Sequence, residues 1–275
     1  MKPHILICND DGIYAPGIMV LYEAVRDIGE VTVVAPDAEQ SAVGHAITLS
    51  DPIKIKRVRR DTHFEGYAVV GTPADCIKLA VTVLLERPPD LIISGINLGP
   101  NVGISVIYSG TVSAATEGTI LGIPSMAISL ATFENPLWET AAHVARRLTQ
   151  ELITRGLPSD VSRRSLLAKG EGRAQEGLPA DTLLNVNVPN RPLDQVKGLA
   201  VTRMGRSRFA EIFHKRTNPR GDTYYWMDGE LKITGDTAGT DIQALADGFV
   251  SLTPIWFDLT HAAALPKLRD WKLTL

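Results

Sequence analysis

The chain has 275 residues and a formal net charge of -3, with 44% hydrophobic and 21% charged residues. That length suits one large α/β domain with an appendage, or two modest domains, and the composition excludes disordered and fibrous classes. The slightly negative balance leaves no positive field to hold a nucleic-acid backbone, so polymeric nucleic acid is not an expected partner. Two cysteines, Cys8 and Cys76, lie in apolar stretches without CxxC spacing, which points away from a disulfide framework and from a zinc site. Residues 1–4 run straight into a strand-like segment with no basic-then-apolar leader, and no apolar run nears membrane-spanning length. A cytoplasmic protein with no membrane partner is expected.

Taken in chain order, short β-branched runs alternate with amphipathic stretches, the pattern of helices covering both faces of a parallel sheet. Strands are predicted over residues 4–9, 31–36, 91–94 and 124–130, and helices over 16–28, 73–86, 112–121 and 138–154. In Thr72-Pro73-Ala74-Asp75 the hydroxyl suits an N-cap, the proline a first turn and the acid the positive helix end. The basic run 54–60 mixes Lys and Arg with Ile and Val and reads as the solvated face of a strand. Residues 159–181 turn to Ser, Arg, Lys, Gly and Glu with little periodicity, as in an exposed insertion. Strand character resumes at 182–188 and 198–204, and segments 208–214, 222–227 and 229–233 alternate as antiparallel hairpins do.

The densest chemical signal is Asn9-Asp10-Asp11-Gly12, directly after the first apolar run. Ligands bind at the carboxyl ends of strands in open parallel sheets, and two neighbouring carboxylates there repel unless a cation neutralises them. Mg²⁺ and Mn²⁺ prefer such oxygen ligands. The same residues also suit a turn in which Asp caps a helix and glycine takes an unusual backbone angle. Two further glycine-containing loops follow probable strands, 37–45 with Ser41 and 95–101 with Asn97. Asp10, Asp11, Ser41 and Asn97 are therefore candidates to converge on one cation. Ser109-Gly110-Thr111 open a helix, where hydroxyls and free amides form an anion site or an ordinary cap. With Asn9 they are the candidate phosphate contacts. His45 is a possible proton donor or a structural histidine.

The strings NDDGIYAPGI, APDAEQSAVGHAIT, GTPADCIKLA, SGINLGPNVG and IYSGTVSAATEG occur in that order. With residues 239–254, they resemble successive blocks of the SurE family across nearly the whole chain apart from 159–181. The resemblance implies a Rossmann-like core over residues 1–200 and a hairpin arm with tail over 201–275, exchanged between subunits of a homodimer or homotetramer. It implies a metal-dependent 5′-nucleotidase holding one divalent ion, Mg²⁺ or Mn²⁺, per subunit through Asp10, Asp11, Ser41 and Asn97. Its substrate would be a nucleoside 5′-monophosphate, hydrolysed by a metal-activated water with Asp10 or Asp11 orienting that water. Ala42 stands where the family often has glycine, and Ile104-Ser105 where it often has acids, which bears on substrate preference. The competing reading is a nucleotide-binding module without hydrolysis, although neither G-x-G-x-x-G after the first strand nor a Walker motif is present.

Overall fold

The computed structural model describes residues 2–60, 63–155 and 177–273. Its first strand, β1 (His4–Cys8), is buried along its whole length. Side chains alternate across a strand, so Ile5 and Ile7 enter one core while Leu6 and Cys8 enter the core on the opposite face. That double burial explains the continuous apolar run.

The chain continues through α1 (Pro16–Val25), β2 (Glu30–Pro36), β3 (Lys54–Arg59), β4 (Glu65–Val70), α2 (Pro73–Leu79) and β5 (Leu91–Leu98). Then come α3 (Ser105–Tyr108), α4 (Gly110–Ile120), β6 (Ser125–Ala131), α5 (Trp138–Thr154), β7 (Thr182–Pro189) and β8 (Leu199–Val201). The described part closes with β9 (Ser207–Thr217), β10 (Thr223–Ile233), α6 (Asp241–Asp247), β11 (Val250–Trp256) and α7 (Leu265–Asp270). Nine strands form one sheet in the order β3-β4-β2-β1-β5-β6-β7-β11-β8, while β9 and β10 pair separately as a hairpin. The pairs β4-β2, β2-β1, β1-β5, β5-β6 and β6-β7 are all parallel. Helices α1 and α5 pack on one face through Ile18, Leu21, Val25, Val144 and Leu148, and α2 and α4 cover the other through Cys76, Ile77 and Ala114. From β1 the chain builds outward first through β2 and then, in the opposite direction, through β5. The crevice between those two strands is the switch point at which open sheets bind ligands.

Several boundaries differ from expectation for physical reasons. The helix expected over 73–86 is α-helical only to Leu79 and continues as a π-helical turn, Ala80–Leu84, where β-branched Val81, Thr82 and Val83 crowd the backbone. The basic run forms β3, in which Val58 alone is buried, the solvated strand face its composition implied. Residues 222–227 and 229–233 belong to one continuous strand, β10, because Asp228 and Gly229 stay paired with Ile212 and Glu211. The main sheet also takes in β11, antiparallel to β7 and parallel to β8, from beyond residue 201. The segment read as an insertion lies outside the described residues as far as 176. No helix among the described residues is long and apolar enough to cross a membrane.

Candidate active site

At the carboxyl end of β1 the chain turns sharply. Gly12 takes φ 96°, a left-handed angle that glycine adopts without steric cost. Asn9, fully buried, closes the turn by donating from Nδ2 to the Gly12 carbonyl at 2.9 Å. Among the described residues its Oδ1 has no hydrogen-bond partner, so the turn takes up the amide nitrogen of this expected phosphate contact and leaves its oxygen unused. The Ile13 amide donates to the Pro36 carbonyl at 2.8 Å, and the Gln40 amide to the Asp10 carbonyl at 2.7 Å. These bonds tie the loop after β2 to the acid pair.

Asp10 is 5% exposed and points at the start of α4. The Thr111 hydroxyl donates to its carboxylate, and the Gly110 and Thr111 amides also support its charged form. Burial nevertheless dominates and raises the Asp10 carboxyl above its ordinary range. A Cβ on Gly110 would stand 2.7 Å from Asp10 Cβ and 2.9 Å from Oδ2, so glycine is what allows this approach. Ser109 is the N-cap, its hydroxyl accepting from the Val112 amide at 3.1 Å. The helix start read from Ser109, Gly110 and Thr111 is a capped one, and the anion that its first amides meet in this structure is Asp10.

Asp11 is half-buried. Desolvation first, then the neighbouring Asp10 charge, push its carboxyl up to about 7, with Glu39 adding to the rise and the Leu98 amide opposing it. That amide belongs to β5, which runs four residues past its expected end at Ser94. A bulge between Ser94 and Asn97 lets the strand resume, with Asn97 opposite Ser129. Asn97 therefore sits in the strand, not in a following loop. Its Nδ2 donates to the Gly99 carbonyl at 2.7 Å, which fixes the amide and leaves the oxygen as the end available for a cation.

Ser41 lies in the exposed turn after β2 and donates to Glu39 Oε1 at 2.5 Å. Glu39, the acid whose charge Asp11 feels, was not singled out from sequence, where it resembled any exposed loop acid. Ala42 beside Ser41 has φ 58°, the region that favours glycine. His45 does not bond to the acid pair. Its Nε2 stands 2.9 Å from Glu117 Oε2. Next to Ser109, Tyr108 borders an open cavity of about 500 Å³ lined also by Ile104, Met204, Arg206, Ser207 and Glu211. Gly205, which also lines it, is held by the buried Asp241 carboxylate, which accepts from the Gly205 amide at 2.8 Å and the Gly103 amide at 2.9 Å.

The side chains expected at the site, two carboxylates that resist joint ionisation, an oriented amide oxygen and a loop hydroxyl, are all oxygen donors. Hard divalent cations suit such a set, and soft thiolate-seeking metals do not. Fold and site together define an α/β protein with an acid pair at the switch point of a parallel sheet, facing a helix start. The family profile described as Survival protein SurE matches residues 5–211, and the chain belongs to the SurE family. It is 46% identical over 269 residues to the 5′-nucleotidase SurE of Syntrophobacter fumaroxidans, covering 98% of this chain and 99% of that one. The 5′-nucleotidase SurE of Heliobacterium modesticaldum is also 46% identical, over 97% of this chain and 91% of its own length. The crystal structure of the Sure protein from Aquifex aeolicus superposes with a TM-score of 0.78 at 40% identity, covering 98% of this chain and all of that one.

Proposed function

We propose that this chain is a divalent-metal-dependent 5′-nucleotidase, removing phosphate from nucleoside 5′-monophosphates. The observation that carries the reading is the acid pair Asp10-Asp11, held against its own repulsion at the sheet's switch point in a chain closely similar to 5′-nucleotidases. Asp10, Asp11, Ser41 and Asn97 would hold one Mg²⁺ or Mn²⁺. A divalent ion so bound supplies Lewis acidity and a water of lowered pKa.

The residues divide the remaining work. The start of α4 keeps Asp10 in place through the Gly110 and Thr111 amides, and the Ser109 hydroxyl, whose oxygen caps the helix, would turn its proton toward an incoming phosphate. Asp11, more exposed than Asp10 and free of its bonds to the start of α4, is the better placed of the two acids to orient a water. The cavity beside Tyr108 is wide enough for a nucleoside, with the phenol ring as a stacking surface and Arg206 and Glu211 as polar contacts.

Phosphate release from AMP and GMP, with Mn²⁺ and with EDTA, tests the reading. Release that depends on metal and is lost in Asp10→Asn supports it. Release indifferent to EDTA sinks it, and nucleotide binding without release under any metal favours a binding module. We further propose that the hairpin exchanges between subunits of a homodimer or homotetramer. Support comes from its exposed Ile212, Phe213, Tyr225, Trp226 and Met227, more apolar surface than a solitary arm keeps in water. Light scattering of a chain lacking residues 207–233 would show a lower mass, and an unchanged mass would refute the exchange.

A further inference from the structure

We infer that the buried carboxylate of Glu117 is a clamp that sets where Ser41 stands, with His45 as the positioning residue that carries its hold into the Ser41 loop. The inference rests on the metal-dependent reading above.

Glu117 lies on α4 and is 2% exposed. Its two oxygens serve two different elements, Oε2 meeting His45 Nε2 at 2.9 Å and Oε1 meeting Lys78 Nζ of α2 at 2.6 Å. A buried carboxylate without partners costs several kcal/mol, so an acid kept here with two such partners is a built feature. Burial works to raise its carboxyl, and the bonds from His45 and Lys78 outweigh burial and hold it below the ordinary range. The chemistry proposed above uses none of the three.

The loop between β2 and β3 shows what the cluster positions. Its backbone is pinned by Gln40 to the Asp10 carbonyl at 2.7 Å and by Gly44 to the Tyr108 carbonyl at 3.0 Å. Farther on, the Thr72 hydroxyl donates to the Ala46 carbonyl at 2.7 Å, and Thr48 donates to Asp75 through its amide at 3.0 Å and its hydroxyl at 2.6 Å. Between the pins at 40 and 44 lies the exposed tip with Ser41 and the left-handed Ala42. His45 is the first side chain past the tip to reach the protein body. It lands on the helix whose first turn holds Asp10, two turns further along. Asp10 and the Ser41 tip are thereby referenced to one rigid element, α4. Lys78 holds the same carboxylate but lies outside the loop.

A cluster that only stabilises the fold would respond alike to loss of either partner, whereas a clamp on Ser41 responds differently to the two. Metal-stripped protein titrated with Mn²⁺ alone, free ion being read by electron paramagnetic resonance, separates the cases. His45→Ala should weaken Mn²⁺ binding about tenfold, the low end of what outer-shell losses cost. His45→Gln, which restores a donor to Glu117, should regain most of it, and excess Mn²⁺ should recover most of the activity of His45→Ala. Lys78→Met should lower the melting temperature and leave Mn²⁺ affinity unchanged. Wild-type affinity in His45→Ala, or an equal loss in Lys78→Met, would overturn the clamp. Wild-type affinity in Asp11→Asn would instead overturn the metal-site reading, and the clamp with it.

Discussion

Asp11→Asn should abolish metal-dependent hydrolysis, yet in metal-stripped protein at pH 8 it should stabilise the fold. Desolvation, together with the Asp10 charge, raises the Asp11 carboxyl from its ordinary 3.8 to about 7. At 1.36 kcal/mol per pH unit that rise sets a ceiling of about 4 kcal/mol, and solvent screening of a half-buried group reduces it to about 2 kcal/mol. The sign follows from proton counting. Between pH 4 and 7 the folded chain binds more protons at this site than the unfolded chain, so its stability falls as pH rises. The cost is absent below about pH 4 and complete above about 7. For a chain of this size, about 2 kcal/mol corresponds to a gain of roughly 4–8 °C in melting temperature at pH 8, with no gain at pH 4. Excess Mn²⁺ should reverse the order, since mass action then stabilises only the chain that binds it. Thermal unfolding of both proteins in EDTA and in Mn²⁺, across pH 4 to 8, is the assay. A variant less stable than wild type in EDTA at pH 8, or a difference that ignores pH, would refute the electrostatic account of the pair.

Three further outcomes follow from single contacts. Gly110→Ala puts a methyl 2.7 Å from Asp10 Cβ, so phosphate release should fall at least a hundredfold, with a stability loss of about 1–3 kcal/mol in urea melts. Asp241→Ala strands the buried Gly103 and Gly205 amides and the half-buried Ile242 amide, whose bonds to the carboxylate measure 2.9, 2.8 and 2.8 Å. About 3 kcal/mol of stability should be lost in the same melts, and a loss under 1 kcal/mol would contradict the assigned role. Tyr108→Ala should raise KM for AMP about tenfold and leave kcat within a factor of two. An equal fall in kcat would mean that the ring acts on the reacting end and not on the nucleoside.

The parallel core was legible because strands buried on both faces write themselves as unbroken apolar runs, as in residues 5–8 and 91–93. The acid pair was legible because two adjacent charges after such a run need an explanation. Asn97 was named as a candidate and placed in a loop where the structure has a strand. Gly95 reads as a strand breaker, and only the partner strand reveals that pairing resumes beyond the bulge. Strand β4 escaped notice because Glu65-Gly66-Tyr67 weakens its alternation, and its pairing with β2 supplies the order instead. Glu39 and Glu117 carried no local signal, since each acts on residues far along the chain or by proximity alone, whereas Asp241 lay in the recognised block 239–254 without its contacts to Gly103 and Gly205 being legible. An isolated acid in a sequence looks the same whether it ends up in solvent or under a loop.

The irregularity in β5 has a bearing on which changes of length the chain tolerates. From Ser94 to Asn97 this strand spends three steps against the two that β6 takes from Ala127 to Ser129. Side chains swap faces at every step, so the odd step sets the phase of all that follows. Deleting one residue there would leave two steps against two, so Asn97 would stay opposite Ser129 while the bulge that now offsets the backbone before it would be lost. Loops that join strands to helices can drift in length, but here one residue more or fewer decides whether the bulge exists at all.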